Sequence, residues 1–171
     1  GDTLNKEKLA ESERYFKDLY GGIEVPTHPF NLSDTKVDGG ATIASATVLL
    51  PDDIRDSIRK ISGDLQISPA VIFHAAFGLV VGKCSNSDYA IFGSVLLGRL
   101  QGSKGSDSSL GLFMNTLPVL LDLKDDIRTY VHHANDRLQE LLNYEQTPGP
   151  KIHQWSGVSN EVPLFSALLN Y

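Results

Sequence analysis

The sequence holds a single cysteine, Cys84, which excludes an internal disulfide and any CxxC metal or redox motif. A reducing, cytoplasmic setting is therefore expected. There is no basic run either: 15 Lys and Arg stand against 21 acidic residues, a formal net charge of -6. That balance disfavours nucleic acid as a partner, because phosphate binding needs a cationic footprint. Nor is there an apolar run of membrane length. The longest, AVIFHAAFGLVVG over 70–82, falls short of the ~20 residues that cross a bilayer and carries His74. It reads as a core helix, with His74 a hydrogen-bonded interior histidine rather than a ligand. The opening residues, GDTLNKEKLAESERYFKDLY, are charged and lack the apolar centre of a secretory signal, so no membrane partner is expected.

Familiar catalytic motifs are missing as well. No HxxxH or HExxH spacing supports zinc, and His28 and His153 lie far apart in loops. GRLQGSKGSDSS over 98–109 has Gly98 and Gly102 too close for a phosphate loop and precedes a strand rather than a helix. The serine of FSALL over 165–169 has no GxSxG elbow around it. VHHANDR over 131–137 invites comparison with the acid/base motif HHxxxDG, but Asp136 follows His133 by three positions rather than four, and Arg137 stands where Gly belongs. Its place within an amphipathic helix gives His132 and His133 a surface role.

What the chain does have is the size and composition of one globular domain, 171 residues with 41% hydrophobic and 21% charged. Residues 4–20 have helical spacing, with Leu9, Phe16 and Tyr20 on one face and Gly21-Gly22 as the stop. Residues 1–22 form a lead-in helix, 23–40 an extended loop, and 41–171 an α/β lobe. Within that lobe ATIASATVLL over 41–50 reads as a strand. Pro51 then opens a helix with the stripe Ile54, Ile58, Ile61 and Leu65, and Ser68-Pro69 opens another, apolar nearly all round and so expected deep in the fold. Strands are expected over 88–98 and within 113–123. A helix capped by Asp125 or Asp126 follows to about Glu145, with Ile127, Val131, Leu138 and Leu142 inward. A Pro/Gly-bearing loop, EQTPGPKIHQWSGVSNEVP, leads to a terminal strand. Both ends look cut, so a longer parent chain is expected.

LGLFMNTLPVLLDL over 110–123 interrupts an apolar strand with Asn115 and Thr116. An Asn there either satisfies backbone at a strand entry or faces a binding channel. In order along the chain stand YFKDLYGG, VPTHPFNLSD, FGSVLLGRLQG, LGLFMNTLPVLLDL, YEQTP and PLFSALLNY. Together these segments closely resemble the condensation domains of nonribosomal peptide synthetases. The signature GxFxNT matches at Gly111, Phe113, Asn115 and Thr116, whereas the closing motif matches only in its final PLF.

The resemblance implies a mixed α/β, chloramphenicol-acetyltransferase-like (CoA-dependent acyltransferase) lobe, truncated at its C-terminus. It covers the C-terminal lobe of the family's V-shaped pair, while the catalytic HHxxxDG belongs to the N-terminal lobe. The implied reaction is peptide-bond formation between acyl or peptidyl and aminoacyl thioesters carried on phosphopantetheine arms. Implied partners are the N-terminal lobe, upstream and downstream peptidyl carrier proteins, and an adenylation domain; no cofactor is bound directly and no metal is expected. Asn115, Thr116, Ser94 and Arg99 are the channel-lining candidates, no catalytic residue is assigned, and the isolated chain is expected to be inactive. With Asn115 on a channel, Asn115→Ala is expected to lower condensation more than thermal stability. PTHPFNLSD and GSVLLGRLQG look most like the subtype that couples condensation to epimerisation. A non-catalytic carrier-docking module, or another acyltransferase of the same fold, is the competing assignment.

Overall fold

The computed structural model describes residues 2–33, 42–97 and 114–171. Its helices are α1 (Asp2–Tyr20), α2 (Asp52–Leu65), α3 (Pro69–Cys84), α4 (Ile127–Leu142) and α5 (Gly149–Trp155). Its strands are β1 (Tyr89–Leu97), β2 (Met114–Asp122) and β3 (Leu168–Leu169). They form one mixed sheet in the order β2-β1-β3, with β1 antiparallel to β2 and parallel to β3.

Local chemistry sets most of the helix ends. Ser68 is extended at the N-cap of α3 and Pro69 takes the first helical position, where its missing N–H costs nothing. Of the two aspartates the sequence offers, Asp126 caps α4, its carboxylate accepting from the Thr129 N–H at 3.0 Å and the Thr129 hydroxyl at 2.8 Å. Gln66 ends α2 in a left-handed conformation. Helix α1 stops at Gly21, whose N–H reaches Lys17 O at 2.8 Å.

The core forms where α3 and α4 cover the β1–β2 pair. Phe77 of α3 meets Phe92 of β1 edge to face, with centroids 5.0 Å apart. Tyr130 of α4 donates to Ala75 O of α3 at 2.5 Å. Gly78 makes that approach possible, because a Cβ there would lie 2.7 Å from Tyr130 Oη and 2.8 Å from Leu121 Cδ1. A second seam is aromatic: Tyr15 stacks on Tyr144 at 4.3 Å, and Phe16 on Trp155 at 6.4 Å. Beside β3, which pairs only at Gly93 and Ser94, the edge of β1 is filled by a side chain. Thr27 Oγ1 accepts from Ile91 N at 2.8 Å and donates to Ile91 O at 3.0 Å, taking the place of a neighbouring strand.

Several expectations give way. Described residues 42–50 belong to no ladder, because the β-propensity of Thr, Ile and Val becomes a strand only beside a partner. Within the presumed loop after Glu145, residues 149–155 form α5; Pro148 and Pro150 read as breakers, yet proline at a helix start is compatible with the turn that follows. Helix α4 ends at Leu142 rather than Glu145. Of its expected inward positions Val131 and Leu138 pack against the core beside the buried Tyr130, Ala134 and Leu141, whereas Ile127 is 64% exposed. Helix α3 is not enclosed all round, since Ala76 and Val80 face outward. Leu9 is exposed although Phe16 and Tyr20, on the same helix, are fully buried. The terminal strand is only Leu168–Leu169.

Candidate functional site

The β1–β2 register gathers three of the four candidate residues at one end of the pair. Leu96 lies opposite Asn115, Val95 opposite Thr116, and Ser94 opposite Leu117. Because facing residues share a side of the sheet, Ser94 and Asn115 lie on one face and Thr116 on the other. Arg99 lies outside the described residues, in the connector between these strands.

Asn115 is half-buried and held by the chain that follows α4. Its Nδ2 donates to Glu145 O at 2.7 Å and to Thr147 O at 3.0 Å. Thr147 in turn donates its hydroxyl to Ser12 Oγ of α1 at 3.1 Å. One amide therefore joins the start of β2, the turn after α4 and, through Thr147, helix α1. Both of its N–H donors are occupied by main-chain carbonyls. Thr116 serves close contact: its Cγ2 lies against Gly93, where an added Cβ would come within 2.8 Å.

Ser94 is 1% exposed and faces α3 rather than an open cleft. Its hydroxyl lies 2.7 Å from His74 Nε2, while His74 Nδ1 lies 2.7 Å from Ala70 O. A carbonyl only accepts, so Nδ1 carries the proton and Nε2 accepts from Ser94. The distances are those of a nucleophile and its base, but burial denies a substrate carbonyl access to Ser94. The pair instead satisfies two polar groups in the core, in keeping with the interior role expected for His74. Ser94→Ala is expected to lower stability by about 1–3 kcal/mol, the cost of leaving Nε2 without a donor; urea unfolding measures it, and an unchanged midpoint would contradict the assignment.

Burial holds the His74 imidazole below its usual value, with the Ala70 carbonyl bond opposing part of that shift. The folded chain then binds fewer protons than the unfolded chain as pH falls through the ordinary histidine range. Stability from this group is complete above that range and is lost toward acid. His28 shifts in the same direction, also through desolvation, so both contribute. Urea midpoints followed from about pH 8 to about pH 5 should fall, and His74→Gln should flatten the slope without abolishing it. An unchanged slope would remove His74 from the account.

The histidine pair of α4 is exposed, with His133 Nδ1 3.0 Å from Asp125 Oδ2. Arg137, which stands where a catalytic loop would have glycine, donates from Nε to Leu120 O at 3.2 Å and thereby covers the outer edge of β2. That role was not legible in the motif, since Leu120 lies on another element. Among the described residues no group of three metal-ligating side chains converges, and no single helix is long and apolar enough to cross a membrane.

A family model described as Condensation domain matches residues 2–171. The chain belongs to the condensation domain family. Malpibaldin synthetase of Mortierella alpina is 35% identical over 164 residues, covering 95% of this chain and 3% of that protein. Among solved structures, a four-domain nonribosomal peptide synthetase, holo-AB3403, superposes with a TM-score of 0.72 at 16% identity, over 94% of this chain and 12% of the other. The condensation domain of the Monacolin K polyketide synthase MokA gives 0.67 at 14% identity, over 98% and 42%. The fold is therefore the CoA-dependent acyltransferase fold of condensation domains, and its mixed sheet with flanking helices agrees with the class read from sequence. This condensation domain chain spans only a few per cent of the synthetase to which it is similar.

Proposed function

We propose that this chain is the C-terminal lobe of a condensation domain that joins a carrier-bound acyl or peptidyl thioester to the amine of a carrier-bound aminoacyl thioester. The amine attacks the thioester carbonyl, the tetrahedral oxyanion collapses, the thiolate of the donor arm leaves and the amine loses a proton. Holding two tethered substrates in register supplies much of the rate in such a reaction. The observation that supports this reading is the family match over residues 2–171, together with the place of Asn115 and Thr116 at the start of β2. The chain carries no HHxxxDG, so the acid/base group is assigned to a neighbouring lobe and this lobe to shaping the channel. Phosphopantetheine arms of carrier proteins bring the substrates, and an adenylation domain loads them.

In this reading Asn115 and Thr116 border the channel by fixing the end of the β1–β2 pair, and Arg99 in the connector offers a cation to an approaching arm. The test is intact-mass detection of amide formation on loaded donor and acceptor carriers, comparing this chain with one extended upstream. Product only from the extended protein is expected. Product from the 171-residue chain alone would overturn the division of labour, and none from either would overturn the condensation reading.

A further inference from the structure

Each polar group of Thr147 engages a different segment. Its N–H donates to Tyr144 O at 2.9 Å, closing the turn after α4. Its carbonyl accepts from Asn115 Nδ2 at the start of β2, 3.0 Å away, and its hydroxyl donates to Ser12 Oγ of α1 at 3.1 Å. Pro148 follows and narrows the backbone angles open to Thr147. Ser12 and Thr147 are 7% and 6% exposed, beside the aromatic seam of Tyr15, Phe16, Tyr144 and Trp155. That seam needs no hydroxyls to hold together. Alanine suits a helix interior better than serine, and replacing both partners of a buried hydrogen bond by apolar groups of the same shape is nearly neutral. What the hydrogen bond adds is direction, since apolar contact alone lets a helix slide or turn against its neighbour.

We propose that Thr147, anchored by Ser12, is a positioning residue for amide formation. The inference rests on the condensation reading and adds a residue to it. The carbonyls of Glu145 and Thr147 take both N–H donors of Asn115, so the plane of its amide follows wherever that turn stands. The Ser12 bond fixes the turn against α1. A second side-chain hydrogen bond from α1, Tyr15 Oη to Glu140 Oε2, is exposed and ties the helix to α4 rather than to β2. In the condensation reading the acid/base lobe lies upstream, and α1 is the element of this chain nearest to it in sequence. Ser12, Thr147 and Asn115 then hold the start of β2, and with it the channel wall, at a fixed distance from that lobe. Distance matters because amine and thioester must meet in near-attack geometry, where a misplacement of about 1 Å costs about 100-fold in rate.

The test uses the complete condensation domain with loaded donor and acceptor carriers, read as single-turnover amide formation per folded molecule. Thr147→Val removes the hydroxyl while keeping the shape and the main-chain carbonyl. It should lower the rate at saturating carrier at least about 10-fold, with the carrier concentration for half-maximal rate unchanged. Ser12→Ala breaks the same bond from the helix side, should act likewise, and carries the test if valine prevents folding. The double variant should be no slower than either single one, because all three lose one bond. Thr147→Ser, which keeps the hydroxyl, should keep the wild-type rate. A merely structural role would lower the melting temperature and leave the folded fraction fully active, which would overturn the proposal. So would additive losses in the double variant, or a slow Thr147→Ser. Equal rates from wild type and Thr147→Val reject the positioning role alone. A wild-type domain that forms no amide bond rejects the condensation reading, and the positioning role with it.

Discussion

Asn115→Asp is expected to cause one of the two largest losses of stability available to a single substitution in this fold. The native amide donates twice, to Glu145 O and Thr147 O. A carboxylate donates to neither and sets negative oxygens against two carbonyls. Leaving a carbonyl without a donor costs about 1–3 kcal/mol each, toward the lower end here because the site is half-buried. In a chain of this size each kcal/mol lowers the melting temperature by about 2–4 °C. Asn115→Ala should lose the hydrogen bonds without the repulsion and fall between wild type and Asp. Thermal unfolding of the three proteins gives the order directly. These hydrogen bonds give the amide a structural share in the loss, whereas its channel assignment has the alanine variant lose condensation before stability. Were Asn115→Ala to keep the native melting temperature and lose only amide formation, the amide would be serving substrate rather than the turn after α4.

Gly93→Val is the second. Gly93 sits in the middle strand, paired with Pro118 on one side and Leu168 on the other, and its N–H donates to Ala167 O at 2.9 Å. What the position requires is space. A Cβ would meet Phe165 Cε2 at 2.7 Å, Thr116 Cγ2 at 2.8 Å and, closer still, Leu168 Cδ2. Overfilling a packed site costs about 1–3 kcal/mol, and valine adds two further methyl groups in the same direction. The weakest neighbour should yield first, and β3 is two residues long with Leu168 more than half exposed. Valine is therefore expected to detach β3 while the nine-residue β1–β2 pairing survives. Hydrogen exchange would show the Gly93 amide released and the β1–β2 amides retained. A protected Gly93 amide with an unchanged melting temperature would mean that the surrounding side chains repack without penalty.

Much of this architecture was written locally. Helical spacing and proline-led starts located α2 and α3, Asp125 or Asp126 the start of α4, and apolar runs β1 and β2. The family was also legible, since its signature segments keep their order along the chain. Legibility failed where one element depends on another. The β-branched run over 42–50 has strand chemistry but no partner among the described residues. Ile127 keeps helical phase with Tyr130 and Val131 yet points into solvent. Helix α5 was hidden because its opening prolines and glycine read as a loop.

The candidate site divides in the same way. That Asn115 and Thr116 interrupt an apolar run, that one cysteine permits no internal disulfide, and that no HHxxxDG is present can all be read along the chain. These are matters of residue type and spacing, which require no coordinates. What those side chains meet depends on how the chain folds. Asn115 finds its acceptors thirty residues on, Ser94 turns to His74 across an element boundary, and Arg137 closes the edge of β2. A polar side chain announces in sequence that it needs a partner; which partner is set by the approach of segments distant along the chain.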